Sequence, residues 1–137
     1  MEITELLEII SRGEDSKHQF KGDVTNVISL AQEMVAFSNS GGGKIFIGVS
    51  DAGEITGLSS ADMNRLNGLL SNAASQHVRP PINPQTENIA LPGGLVMVVT
   101  ILDGISKPYM DNQGAILVKS GADKRKVTSR EEIQRMF

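Results

Sequence analysis

Two stretches of this 137-residue chain carry residue types that could do chemistry. The first is NSGGGKIFIGVSDAGEITGL, Asn39 to Leu58, in which Gly41, Gly42 and Gly43 stand beside Lys44. Glycines next to a lysine can wrap a phosphate, because they expose backbone N–H groups and the lysine adds charge. That chemistry needs the order strand, loop, helix, so that the partly positive end of the helix meets the anion, and a serine or threonine after the lysine. Here the glycines follow a helical pattern, precede an apolar run, and Lys44 is followed by Ile45. They approach the partly negative end of a helix instead. They read as a corner, with one glycine left-handed at the helix end and the others letting the chain turn sharply into a strand.

The second stretch is Lys124, Arg125 and Lys126, expected in a polar loop, SGADKRKVTS, just before a last helix. Clustered cations of this sort contact nucleic-acid phosphates without reading sequence. Lys119, Arg130, Lys17, Lys21 and Arg12 would extend the footprint if the fold brought them onto one face. Taken alone, the triplet reads first as a solvated loop. Charge along the chain supports a separate basic region: residues 1–106 hold 6 basic and 12 acidic side chains, a balance of −6, and residues 107–137 hold 7 and 4, a balance of +3. The total is −3.

Other chemistries lack their residues. There is no cysteine, hence no disulfide, thiolate zinc site or cysteine nucleophile, and the two histidines, His18 and His77, read as surface or packing residues. No Ser/His/Asp set stands out, and no resident metal or cofactor is expected. Aromatic residues make up 4%, with one tyrosine and no tryptophan, which favours backbone contact over a base-stacking platform. Tyr109, after Lys107 and Pro108, reads as a loop anchor. No apolar run approaches the roughly 20 residues that span a bilayer. MEITELLEII lacks the basic start of a secretion signal, so a cytoplasmic location is expected.

The elements that must position these residues follow from periodicity. Ile3, Leu6, Leu7 and Ile10 predict a first helix that stops at Gly13. HQFK, residues 18–21, is a short extended segment. A second helix is expected from Asp23 to about Ser40, with Val27, Ile28, Ala31, Met34, Val35 and Ser38 on its inner face. KIFIGV predicts a buried strand turning through Asp51, Ala52 and Gly53 into a hairpin partner, EITG. Ser59 or Ser60 should cap a third helix, with Asp62 in its first turn and Met63, Leu66, Leu69, Leu70, Ala73 and Ala74 inward, ending before Pro80 and Pro81. ENIAL, LVMVVTIL and GAILVKS read as strands, the KPYMDNQG segment as a loop, and TSREEIQRMF as the start of a closing helix capped by Thr128 or Ser129. The expected class is α+β, a mixed and mostly antiparallel sheet with about four helices, in one domain over residues 1–137. That closing helix has barely begun where the sequence stops, so the domain is expected to be the N-terminal part of a longer protein.

Laid out this way, the chain resembles the Schlafen-type AlbA-like domain of prokaryotic transcriptional regulators. The residues that carry the resemblance are Glu14, Gln19, Lys21, Ala36, Phe37, Asn39, Gly41, Gly42, Ile47, Gly48, Val49, Asp51, Gly53 and Gly57, then Lys107, Pro108, Tyr109, Lys119, Ser120 and Gly121. The resemblance implies a DNA- or RNA-binding module that meets the phosphate backbone, works as a homodimer and serves a transcriptional regulator. It also brings two alternatives. In the RNA-cutting Schlafen branch, two glutamates and an aspartate hold a divalent metal, and the matching positions are Glu14, Gln19 and Asp51, with Lys21 placed to steady a phosphate. Glutamine offers a neutral carbonyl where a carboxylate would supply charge, so nuclease activity is disfavoured. Some relatives carry a divergent-ATPase label, which suggests nucleotide binding, and the reversed glycine order speaks against ATP; a module that only dimerises or binds an effector is the remaining alternative. The chain is therefore expected to be a binding module rather than an enzyme.

Overall fold

The structure is a computed structural model that describes residues 1–137. Its frame is a four-stranded sheet in the order β1 (His18–Lys21), β2 (Gly43–Ile47), β5 (Gly94–Ile101), β4 (Gln85–Leu91). β1 and β2 run parallel, joined by a crossover through α2 (Val27–Asn39), and the other pairings are antiparallel. Two small two-stranded sheets complete the strands: β3 (Val78–Arg79) with β6 (Met110–Asp111), a long-range antiparallel pair, and β7 (Leu117–Ser120) with β8 (Asp123–Lys126), a hairpin. With α1 (Ile3–Arg12), α3 (Ser60–Gln76) and α4 (Arg130–Arg135), the fold is α+β with four helices and mixed, mostly antiparallel sheets. No helix is long and apolar enough to cross a membrane.

Strand alternation divides the core in two. Ile45, Ile47, Met97, Val99 and Ile101 face α2 and α3, whereas Phe20, Phe46, Val96 and Val98 face Leu6, Ile9 and Ile10 of α1. A strand buried on both faces reads as a continuous apolar run, which is why KIFIGV was legible. α3 starts on a reciprocal cap in which Ser59 accepts from the Asp62 N–H and the Asp62 carboxylate accepts from the Ser59 N–H. Ser129 caps α4 through the Glu132 N–H.

Four expectations need correction. α2 is covered on nearly every side: Leu30, Ala31 and all of Glu33 to Asn39 are buried, while Ile28, placed on the inner face from its spacing, is exposed. A single stripe underestimates a helix enclosed by the sheet, α3 and the C-terminal arm. The Asp51 turn closes on one bridge, Val49 to Ile55, and no second strand forms. Met110 and Asp111, read as loop, pair with β3, the segment that follows α3 directly after His77. The KRK triplet lies in a strand: Gly121, at φ +62°, and Ala122 form a two-residue turn that folds β8 back on β7.

The C-terminal arm is fastened to the end of α2 by Asn39. Its Nδ2 donates to the carbonyls of Tyr109 (2.9 Å) and Leu117 (2.8 Å), and its Oδ1 accepts from the Tyr109 N–H (2.7 Å). Tyr109 is buried in the larger core cluster, as an anchor would be.

Candidate nucleic-acid interface

The site grows from a charged residue in an apolar frame. Leu30, Glu33, Met34 and Phe37 fall at i, i+3, i+4 and i+7 of α2, so Glu33 occupies a core position and is 4% exposed. A carboxylate at such depth must be compensated. Three lysines from three strands do so. The Nζ of Lys124 (β8) lies 3.1 Å from Glu33 Oε1, that of Lys119 (β7) 3.7 Å from Oε2, and that of Lys21 (β1) 4.0 Å from Oε1. Alternation brings the β8 and β7 lysines together, because Lys119 and Lys124 are directly paired across the hairpin. In β1 it sets Gln19 and Lys21 on one face, the α2 side, and Phe20 on the other.

Lys119 is the innermost of the three, its side chain 2% exposed. Its ammonium donates to Gln19 Oε1 (3.0 Å) and the Ala122 carbonyl (2.9 Å) and stands 4.8 Å above the Phe37 ring. Burial pushes its pKa below the usual lysine value, an effect that the Glu33 carboxylate opposes. Lys21 and Lys124 are the outer members, with side chains 32% and 25% exposed. Three lysines against the buried Glu33, with Glu14 also near enough to act on Lys119, leave a local positive excess, and Lys21 and Lys124 are partly open to solvent.

The remaining basic candidates are placed less uniformly. Arg125 points to the opposite face of β8 from Lys124 and pairs with Glu132 at 2.5 Å, an ion pair that holds the Glu132 carboxyl below its usual range. Lys126 and Arg130 are exposed beyond it. Lys17 donates to the Ser40 carbonyl (2.9 Å) and approaches that of Gly42 (3.4 Å), closing the negative end of α2. Arg12 belongs to α1, on the other side of the sheet. The structure thus gathers Lys21, Lys119 and Lys124, and it does not gather the KRK triplet into one patch.

The glycine run is the corner expected. Gly41 and Gly42 adopt φ of +89° and +78°, and the Gly42 N–H returns to the Phe37 carbonyl at 2.8 Å. A Cβ on Gly42 would lie 2.6 Å from the Ile101 carbonyl oxygen and 2.8 Å from the Asp103 nitrogen. The Gly41 N–H is taken by Asp103 Oδ1 at 3.0 Å.

The acidic candidates are separated in their roles. Glu14 accepts the Phe20 N–H at 2.9 Å, Asp51 is exposed in its turn, and Gln19 already holds the Lys119 ammonium. No group of three or more His, Asp or Glu side chains is arranged to hold a metal ion. Glu33 was missed in the sequence, where its signal was a lone charge at a core position of an otherwise apolar helical stripe.

A family model for the Schlafen, AlbA_2 domain matches residues 14–128, and the chain belongs to that family. Among solved structures, the DIP2311 protein of Corynebacterium diphtheriae is similar at a TM-score of 0.66 and 20% identity, with 97% of this chain aligned to 28% of that one. This chain thus spans less than a third of the length of that relative. The N-terminal domain of an ATP-dependent DNA helicase RecG-related protein from Nitrosomonas europaea is similar at a TM-score of 0.58 and 20% identity, covering 93% of this chain and 94% of that one. At such identities the likeness is one of fold. No curated protein matches.

Proposed function

We propose that this chain is a nucleic-acid-binding domain that meets the phosphate backbone, of DNA in the first instance, through Lys21, Lys124 and the lysine behind them, Lys119. The observation that carries this reading is the convergence of the three lysines from β1, β7 and β8 on one carboxylate, with two of them partly open to solvent. Glu33 restrains the lysines in place, so less side-chain freedom is lost when a phosphate arrives. Lys126, Arg130 and Lys17 would add weaker contacts at the edges. Membership of the Schlafen, AlbA_2 family supports the same reading. We place the domain at the N-terminal end of a cytoplasmic transcriptional regulator that acts as a homodimer. Two copies would join two basic faces, and the open edge of β4 is a route for pairing.

The test is fluorescence anisotropy with labelled duplex DNA, single-stranded DNA and RNA over a range of salt, with and without Mn²⁺, the products then run on a gel. Affinity should fall steeply with salt, and Lys124→Gln should reduce the slope of log K against log salt by about 1. Absence of binding at low salt would overturn the reading. Cleaved products would move the chain to the nucleases.

A further inference from the structure

We infer that a second copy of this chain pairs antiparallel along β4, with Asn88 opposite Asn88 on the two-fold axis; this rests on the homodimer named above and gives it a register. The four-stranded sheet has two edges, and the chain treats them differently. On β1 the outward backbone groups are taken: the His18 N–H and carbonyl exchange hydrogen bonds with Asp15, and the Phe20 N–H goes to Glu14. On β4 they are free. Leu95 of β5 uses its own N–H and carbonyl on Leu58, on the side away from β4. Ala90, directly opposite Leu95, therefore turns its backbone groups away from β5, and by alternation Asn88 and Thr86 do the same. All three residues are exposed. An open edge attracts another strand unless lysine, proline or a bulge guards it, and QTENIAL, paired without a break from Gln85 to Leu91, has none of these.

The strand also matches itself. Asn88 is the midpoint of Gln85–Leu91 and at the same time an outward-facing position. A two-fold axis through it pairs the whole strand: Asn88 with Asn88, Thr86 with Ala90, and Gln85 with Leu91 of the partner subunit. Three outward residues per copy, each with one donor and one acceptor, close six hydrogen bonds. The strand's single charge, Glu87, falls opposite Ile89 of the partner subunit, so the two carboxylates do not oppose each other. Beside this edge α3 presents Asn67, Ser71 and Ser75, small and uncharged, which line a groove together with Thr86. The approaching copy meets no like charge there. An unrelated strand would require none of this, and the coincidence of midpoint and parity is what selects a second copy as the occupant.

The experiment uses the full chain, which contains no cysteine, so an introduced thiol is the only one. Asn88→Cys sets two sulfurs across the axis, where the Cα atoms of a hydrogen-bonded pair stand about 5.5 Å apart, inside the range that a disulfide spans. Thr86→Cys is the register control, because the two copies of residue 86 would lie about 14 Å apart along the strands. Under mild oxidation Asn88→Cys should cross-link to a dimer on a non-reducing gel. Thr86→Cys should not, whereas Thr86→Cys mixed with Ala90→Cys should. Sedimentation velocity over a dilution series needs no thiol: the wild-type chain should dimerise reversibly, as a small interface does. Asn88→Lys, which sets two ammonium groups face to face, should dimerise about tenfold or more weakly with its circular dichroism unchanged. Equal cross-linking of the Asn88→Cys and Thr86→Cys variants, a wild-type chain that is monomeric throughout, or a folded Asn88→Lys that dimerises like the wild type overturns the pairing. If Asn88→Lys does not fold, the cross-linking pattern decides alone. Duplex binding by a chain that stays monomeric removes the pairing and leaves the phosphate reading standing; a β4 dimer that binds no nucleic acid does the reverse.

Discussion

Replacing Asn39 by alanine should be among the most damaging single changes in this chain. Three hydrogen bonds disappear together, two donated by Nδ2 to the Tyr109 and Leu117 carbonyls and one accepted from the Tyr109 N–H. Each such bond contributes about 1 kcal/mol net, and the cost rises where the abandoned partner stays buried. Tyr109 and Leu117 are 5% exposed, so water cannot easily replace the amide. The expected loss is about 3–5 kcal/mol, a third or more of the ~5–15 kcal/mol that holds a typical domain together. Urea unfolding followed by circular dichroism measures it, with hydrogen exchange at the Tyr109 amide as the local readout. Asn39→Asp is the control. It keeps the acceptor for the Tyr109 N–H but sets a carboxylate oxygen against two carbonyls, and it should destabilise at least as much as alanine. A loss below about 1 kcal/mol in the alanine variant, or unaltered protection of the Tyr109 amide, would refute the assignment of the arm's attachment to Asn39.

Other outcomes follow from the same geometry. Gly42→Ala should cost about 2 kcal/mol or more, because positive φ and a backbone clash combine, whereas Gly114→Ala, at φ +83° with open space around it, should cost only about 1 kcal/mol; equal thermal shifts would contradict this. Ser59→Ala should cost about 1 kcal/mol through the lost cap of α3, read from the urea midpoint. The ion pair with Lys107 at 2.7 Å holds the Asp103 carboxyl below its usual range, so its contribution is present above the unfolded value near 3.8 and is lost as the pH falls through the folded one. Asp103→Asn should accordingly flatten the acid limb of stability against pH, and superimposable limbs would show that the pair contributes nothing.

The helices were readable where one apolar stripe and a cap coincide: Met63, Leu66, Leu70, Ala73 and Ala74 of α3 point inward as their spacing requires, behind Ser59. β2 and β5 were readable as apolar runs. β8 was not, because three consecutive cations give no apolar alternation; only the turn at Gly121 and the ladder to β7 make Asp123–Lys126 a strand. α2 was half readable, since its first stripe is apolar and its second contains Glu33. The basic residues could be named from the sequence, but their grouping could not. Which of Lys17, Lys21, Lys119, Lys124, Arg125 and Lys126 share a face depends on strand pairing and parity, and a list of cations contains neither.

The hydrogen bond between Gln19 and Lys119 joins residues 100 positions apart. The four-stranded sheet is complete by Ile101, whereas Lys119 and Lys124 arrive only with the later hairpin. The lysine cluster is therefore a long-range feature, present only where the arm is docked on α2. Release of residues 109–126 from α2 would carry Lys119 and Lys124 away from Glu33 and Lys21, and with them Tyr109 and Leu117 of the larger core cluster. The basic face and the larger core thus depend on the same docking of the arm.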